Sequence, residues 1–214
     1  MNYNWDWDAV RESLPLLWEG FQTTLLATVL GTLVAAVLGL VVAVAGRAPT
    51  RLVTVPVKAV MEFVRSTPLL VQLVGAYAVF NTVDALTIGV AVLGIHYATY
   101  MSEVYRAGID GVPKGQWEAC RALSMSPWRT WQAVILPQAV RNVLPALGNY
   151  AISMFKETPF LAVITVTELV AEAREFGAYN FAYVETFTLA GLIFLLASYP
   201  TSLLMRKLEK RLGH

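Results

Sequence analysis

The chain has 214 residues, of which 57% are hydrophobic and only 14% charged, well below the roughly 25% charged share of soluble domains. This excludes an ordinary soluble domain and points to a membrane protein. The net charge of +1 favours no charged partner, and the single cysteine, Cys120, rules out an intrachain disulfide.

A helix needs about 20 apolar residues to cross a bilayer. Uncharged runs of that order cover residues 20–46, 66–83, 85–102 and 186–205, and a fifth, 142–167, is interrupted only by Lys156 and Glu157. The expectation is an all-α integral membrane protein of about five transmembrane helices, a single domain over residues 1–214. The opening MNYNWDWDAVRE has no basic region, and the first run is too long for a signal-peptide core. It should therefore stay as an anchor. Within it Ala27, Gly31, Ala35, Gly39 and Ala43 recur every four residues, a stripe that lets another helix approach closely.

Basic residues collect in cytoplasmic loops. With the N-terminus outside, nearly all of them, including Arg47, Arg51, Lys58, Arg106, Lys114, Arg121, Arg129, Arg141 and the cluster after Met205, fall inside; only Arg11 and Arg174 fall outside. A multi-pass protein with its N-terminus outside and its C-terminus cytoplasmic follows. Trp5, Trp7 and Trp18 suit an outer interfacial belt.

Polar residues within membrane spans are costly and default to functional candidates. The segment RSTPLLVQL places Thr67 before Pro68, with Gln72 one turn deeper, and Lys58, Glu62 and Arg65 form a headgroup-facing strip. The third span ends GIHYATYMSEVYRAG, where helical spacing aligns His96, Thr99 or Tyr100, and Glu103. Aromatic rings beside a carboxylate can cradle a cation. The competing reading is that Glu103 only pairs with Arg106 or Arg65, and that His96 is a packing residue. In FKETPF, Pro159 disfavours helix at Thr158 and should break the helix. Broken membrane helices often carry transporter sites. Lys156 and Glu157 beside the break suit a zwitterion, against the alternative of a structural kink with ion pairs to neighbouring helices.

Between the third and fourth spans lies a polar insert, about residues 106–145. Residues 116–123 favour helix, with Glu118 three before Arg121; Ser126 can cap a second helix beginning at Pro127. That helix carries Trp128, Trp131 and Val134 and is expected to stop at Pro137. The product is a helical hairpin at the inner membrane face, suited to docking a protein.

The hairpin resembles the cytoplasmic Glu-Ala-Ala motif of membrane subunits of ATP-binding-cassette (ABC) importers: Glu-Ala-Ala, three residues, Gly, nine residues, Ile, one residue, Leu-Pro. Glu118, Ala119, Cys120, Ser124, Val134, Leu136 and Pro137 match at that spacing, with Cys120 for Ala, Ser124 for Gly and Val134 for Ile. Serine in place of glycine bears a larger cost for a left-handed backbone. The segments WEGFQTTLLATVLG, STPLLVQL, YRAGIDGVPKGQWEA and FKETPFLAVITVTEL resemble the polar amino-acid uptake family along nearly the whole chain. HYATYMSEVYRAG and LPALGNYAISMFKETP are most similar to permease subunits of ectoine and hydroxyectoine importers, whose solute is a cyclic zwitterion.

The resemblance implies a type I ABC importer permease in a bacterial plasma (inner) membrane. It pairs with a second permease subunit, identical or sister. Two ATPase subunits bind ATP and magnesium beneath, and an extracytoplasmic solute-binding protein delivers solute above. Residues 118–137 would be the coupling element; the candidates for the substrate pathway are those read from the residues themselves, Gln72, Tyr100, Glu103, Lys156, Glu157 and Thr158. This chain has no Gly-x-x-x-x-Gly-Lys-Ser/Thr phosphate loop, so it holds no cofactor of its own and is not itself the enzyme; no metal site is expected. A secondary transporter or channel would share the buried charges without needing the hairpin. A membrane enzyme could cast Glu103 and His96 as acid and base, but no nucleophile or cofactor motif accompanies them. A DNA-binding helix-turn-helix is excluded by the tether to two spans, so no nucleic-acid partner is expected beside the membrane lipid.

Overall fold

The computed structural model describes residues 4–212. Residues 1–3 and 213–214, on which the expectation for the two chain ends falls, lie outside the described residues. Helix α1, Trp7–Ala45, begins at Asp6, whose carboxylate accepts from the amides of Asp8 and Ala9 at 2.9 and 3.1 Å. Then come α2, Arg51–Ser66; α3, Leu69–Val79; α4, Ala85–Asp110; α5, Lys114–Ala122; and α6, Pro127–Thr130. A π-helical turn, Trp131–Ile135, leads into α7, Leu136–Glu157. A 3₁₀ segment, Thr158–Ile164, precedes α8, Leu169–Asn180, and α9, Tyr183–Leu212. No strand occurs among the described residues.

The small-residue stripe of α1 is buried along its whole length, running from Gly20 and Thr24 through Ala27, Gly31, Ala35, Gly39 and Ala43. The helix it admits is α4 of the same chain. A Cβ on Gly39 would lie 3.0 Å from the carbonyl oxygen of Ala98, and one on Gly94 would overlap Val34. Each helix thus supplies a glycine to the other. At the end nearer the N-terminus, Gly20 meets the backbone of Glu168 and Leu169, each at 2.9 Å from its Cβ position. Leu169 also donates its amide to Thr24 Oγ1 at 3.2 Å. Around these contacts Leu73, Leu93, Met101, Met154, Leu161 and Ile164 form a core shared by α1, α3, α4, α7 and the 3₁₀ segment.

By length and composition three helices can cross a membrane: α1, α4 and α9. The other two expected spans are not single long helices. In the second, Thr67 is extended (φ −100°, ψ 128°) because Pro68 follows it, which leaves the 11-residue α3. In the fourth, α7 ends at Glu157, the 3₁₀ segment takes over at Thr158 and Pro159, and Thr165 turns left-handed (φ 68°). The α-helix thus ends just before Pro159, as expected, although Thr158 itself stays helical (φ −54°, ψ −29°) and opens the 3₁₀ segment.

The expected stop at Pro137 is absent. There α6, the π-helical turn and α7 follow without a gap. The amide of Leu136 reaches back five residues to the Trp131 carbonyl, and Gln138 Nε2 donates to the Val134 carbonyl at 2.9 Å. The widened turn absorbs the missing amide and the ring of Pro137, so the helix continues.

Glu168 is fully buried and caps α8, its two carboxylate oxygens accepting from Val170 and Ala171 at 2.9 and 2.7 Å. Burial pushes its carboxyl up to about 7, against the lowering effect of those amides and of Arg174; nearby Glu172 adds to the rise.

Candidate functional site

Two places gather the polar residues singled out by the sequence. The first lies where α3, α4 and α7 meet. Gln72 Nε2 sits 2.7 Å from the Val64 carbonyl, 2.8 Å from that of Thr67 and 3.1 Å from His96 Nδ1. It thereby adds to the Val64 carbonyl, which the Thr67 amide also reaches at 3.3 Å, bonds that of Thr67, and ties the Pro68 break to α4. His96 lies 5.4 Å from Tyr100, centroid to centroid. The rings of Tyr97, Tyr100 and Tyr150 form a triangle with sides of 6.2, 5.7 and 6.2 Å. Tyr97 Oη donates to Glu157 Oε2 at 2.8 Å. Tyr100, Tyr150 and Glu157 are half-buried and therefore approachable.

The carboxylate beside the rings is thus Glu157. Glu103 is engaged elsewhere: Arg106 approaches it at 3.1 Å and Arg65 at 3.8 Å, while Arg65 also holds Glu62 at 2.9 Å. The pairing alternative for Glu103 is the one observed. Lys156 is exposed, and no ion pair to it or to Glu157 occurs among the described residues. Thr158 lies inside the core, with its hydroxyl donating to the Phe155 carbonyl at 2.8 Å; it closes α7 and does not face open space. Sequence reasoning missed Tyr97 and Tyr150. Their signals were spacing: Tyr97 stands one turn before Tyr100, and Tyr150 two turns before Glu157 on the same helical face.

The second place is the hairpin of α5 and α6. After α5 the Met125 amide bonds the Cys120 carbonyl and the Ser124 amide bonds that of Arg121, both at 3.0 Å. This is a Schellman closure, which needs a left-handed residue at Ser124, and its φ is 51°. That is why the motif's usual glycine falls at this position. Ser126 then caps α6, accepting from the Arg129 amide at 3.4 Å, with Pro127 in the first turn. Cys120 is 3% exposed and faces a pocket lined by Trp117, Met125, Pro127 and Trp131. A small apolar side chain fits there, and cysteine serves as well as alanine. Trp131 packs edge-on to Trp117 at 5.4 Å, while Trp128 is 75% exposed. Glu118, Ala119, Ser124, Leu136 and Pro137 face outward, and Val134 leans on a small core of Val112, Ile135 and Ala139. No ion pair joins Glu118 to Arg121 among the described residues.

Residues 35–214 match the family described as the inner membrane component of binding-protein-dependent transport systems. The "Probable amino-acid ABC transporter permease protein y4tG" of Sinorhizobium fredii is 40% identical, over 99% of this chain and 96% of that protein. The glutamine transport system permease protein GlnP of Escherichia coli strain K12 is 34% identical, over 97% of each chain. A crystal structure of an amino acid ABC transporter with histidines superposes with a TM-score of 0.90 at 32% identity, over 98% of this chain and all (100%) of that one. The chain belongs to the family of inner membrane components of binding-protein-dependent transport systems. It is a permease subunit of an amino-acid ABC importer, and the all-helical membrane fold is that of such permeases.

Proposed function

We propose that this permease moves a small zwitterionic solute inward, with ectoine or hydroxyectoine as its cargo, driven by two separate ATPase subunits that bind ATP and magnesium. A second permease subunit completes the pathway, and an extracytoplasmic binding protein loads it. In this reading the N-terminus faces outside and the hairpin faces the cytoplasm, which the distribution of Arg and Lys supports.

The observation that carries the reading is the juxtaposition at the end of α7. Glu157 reaches the tyrosine cluster, while the adjacent exposed Lys156 is free of ion pairs among the described residues. An anionic and a cationic group beside a helix break match the two charges of a zwitterion. The hairpin supplies the mechanical input. Glu118, Ala119, Ser124, Leu136 and Pro137 present the motif outward, with Cys120 and Val134 as its inner supports. Closure of the ATPase pair on ATP would move this element, and the spans would follow as rigid bodies.

The test is uptake into proteoliposomes holding both permeases, the ATPase subunits and the receptor. Labelled ectoine should accumulate in preference to labelled glutamine, and only with active ATPase. Preference for glutamine removes ectoine as the cargo. Uptake that persists with the ATPase disabled favours a secondary transporter and overturns the coupling.

A further inference from the structure

Of the two expected acidic pathway residues, Glu157 is the one that makes no ion pair among the described residues: Arg65 and Arg106 neutralise Glu103, whereas Lys156, next to Glu157 in the chain, does not pair with it. A half-buried carboxylate in a membrane span that accepts only a tyrosine hydroxyl is poorly compensated. The groups around it are π-systems. Tyr97, Tyr100 and Tyr150 come from two helices and lie within 6.2 Å of one another, centroid to centroid. The face of an aromatic ring attracts a cation, most strongly where water is scarce. We propose that Tyr97, Tyr100, Tyr150 and Glu157 form a subsite for the cationic end of the transported solute.

Resting on the zwitterion reading above, the subsite assigns the roles within it. Tyr100 and Tyr150, which keep open surface, are the ring walls. Glu157 supplies the counter-charge. Tyr97 is 4% exposed and donates to Glu157 Oε2, so it is a positioning residue: it fixes one carboxylate oxygen and leaves Oε1 for the solute. His96, held through Nδ1 by Gln72, backs the ring of Tyr100. Glu103 lies outside the subsite, among its arginines.

The experiment is calorimetric titration of the whole transporter in nanodiscs, without ATP, using ectoine and L-glutamine as probes. Wild type should bind at least one of them. Glu157→Gln and Tyr100→Leu should each weaken that binding roughly tenfold, whereas Tyr100→Phe, which keeps the ring, should stay within about threefold of wild type. Tyr97→Phe should lower affinity with no change in thermal midpoint, which a merely structural tyrosine would shift. Binding that survives intact in both Glu157→Gln and Tyr100→Leu overturns the subsite while leaving the transport reading standing. If wild type binds neither probe, the zwitterion reading falls and the subsite falls with it. Equal losses in Tyr100→Phe and Tyr100→Leu, with both variants folded, would show that the ring face is not what binds.

Discussion

The Cβ position of Gly39 lies 3.0 Å from the carbonyl oxygen of Ala98, so the last turns of α1 touch the backbone of α4 near its middle. Met101 Cβ and the Ser102 amide nitrogen stand at 3.0 and 3.2 Å from the same point. None of these is a flexible side-chain end that can swing aside. Gly39→Ala should therefore push the two helices apart and cost about 1–3 kcal/mol. Gly75, in α3, has nothing within 4 Å of its Cβ position, and Gly75→Ala should gain up to about 1 kcal/mol from helix propensity. Thermal unfolding of the two variants in one detergent compares them directly; a Gly39→Ala midpoint equal to wild type would refute the close contact.

Ser124 holds a left-handed backbone at φ 51° to close α5. Ser124→Gly should stabilise the hairpin by about 1 kcal/mol, and Ser124→Val should destabilise it by more than that, because a β-branched residue resists this conformation. Protection of the Met125 and Ser124 amides against hydrogen exchange is the readout, rising in the first variant and falling in the second.

Glu118 is exposed on α5 and makes no ion pair among the described residues. Its replacement therefore leaves the fold intact. Glu118→Arg should reduce copurification of the ATPase subunits and uptake together, with an unchanged thermal midpoint for the isolated permease. Retention of both copurification and uptake would remove Glu118 from the docking surface.

Glu168 connects the same physics to pH. Burial raises its carboxyl to about 7 in the folded chain from an ordinary 4.5. The folded state therefore binds the proton more tightly than the unfolded one. The stabilisation from protonation is full below pH 4.5 and is lost as pH rises through 7. Glu168→Gln removes the charge but keeps only one of the two acceptor oxygens for the α8 amides, so beside a constant loss from the missing acceptor its midpoint should gain on that of wild type as pH rises from 5 to 8. Parallel midpoints across that range would be the contrary result.

Much of this architecture was legible because bilayer physics leaves few choices. Uncharged length marked α1, α4 and α9, and the small residues from Ala27 to Ala43 marked a packing face, though not which helix would fill it. Serine caps and prolines read locally gave the hairpin and the break at Pro159. The error at Pro137 has a local cause as well. Proline's penalty presumes the bonding pattern of an α-helix, and a single π-helical turn changes which carbonyl each amide must reach. The carboxylate beside the tyrosines was misassigned for a different reason. Helical spacing within α4 aligned Tyr100 with Glu103, but the contact made by Tyr97 spans sixty positions and depends on how α7 lies across α4. Arg65, from another helix again, decided the fate of Glu103.

The uninterrupted helical path from Pro127 to Glu157 gives the protein a crank. At 1.5 Å per residue it runs for about 45 Å, with the tryptophan-bearing hairpin at one end and the Glu157–Tyr97 hydrogen bond at the other. A stop at Pro137 would have made the docking element a hinged pad, free to shift without consequence. Were the hairpin turned at Trp128, the continuous helix would carry Glu157 and Tyr150 with it, past Tyr97 and Tyr100 on α4. A push on the hairpin would then be felt as torque at the Glu157–Tyr97 hydrogen bond, at the opposite end of the helix.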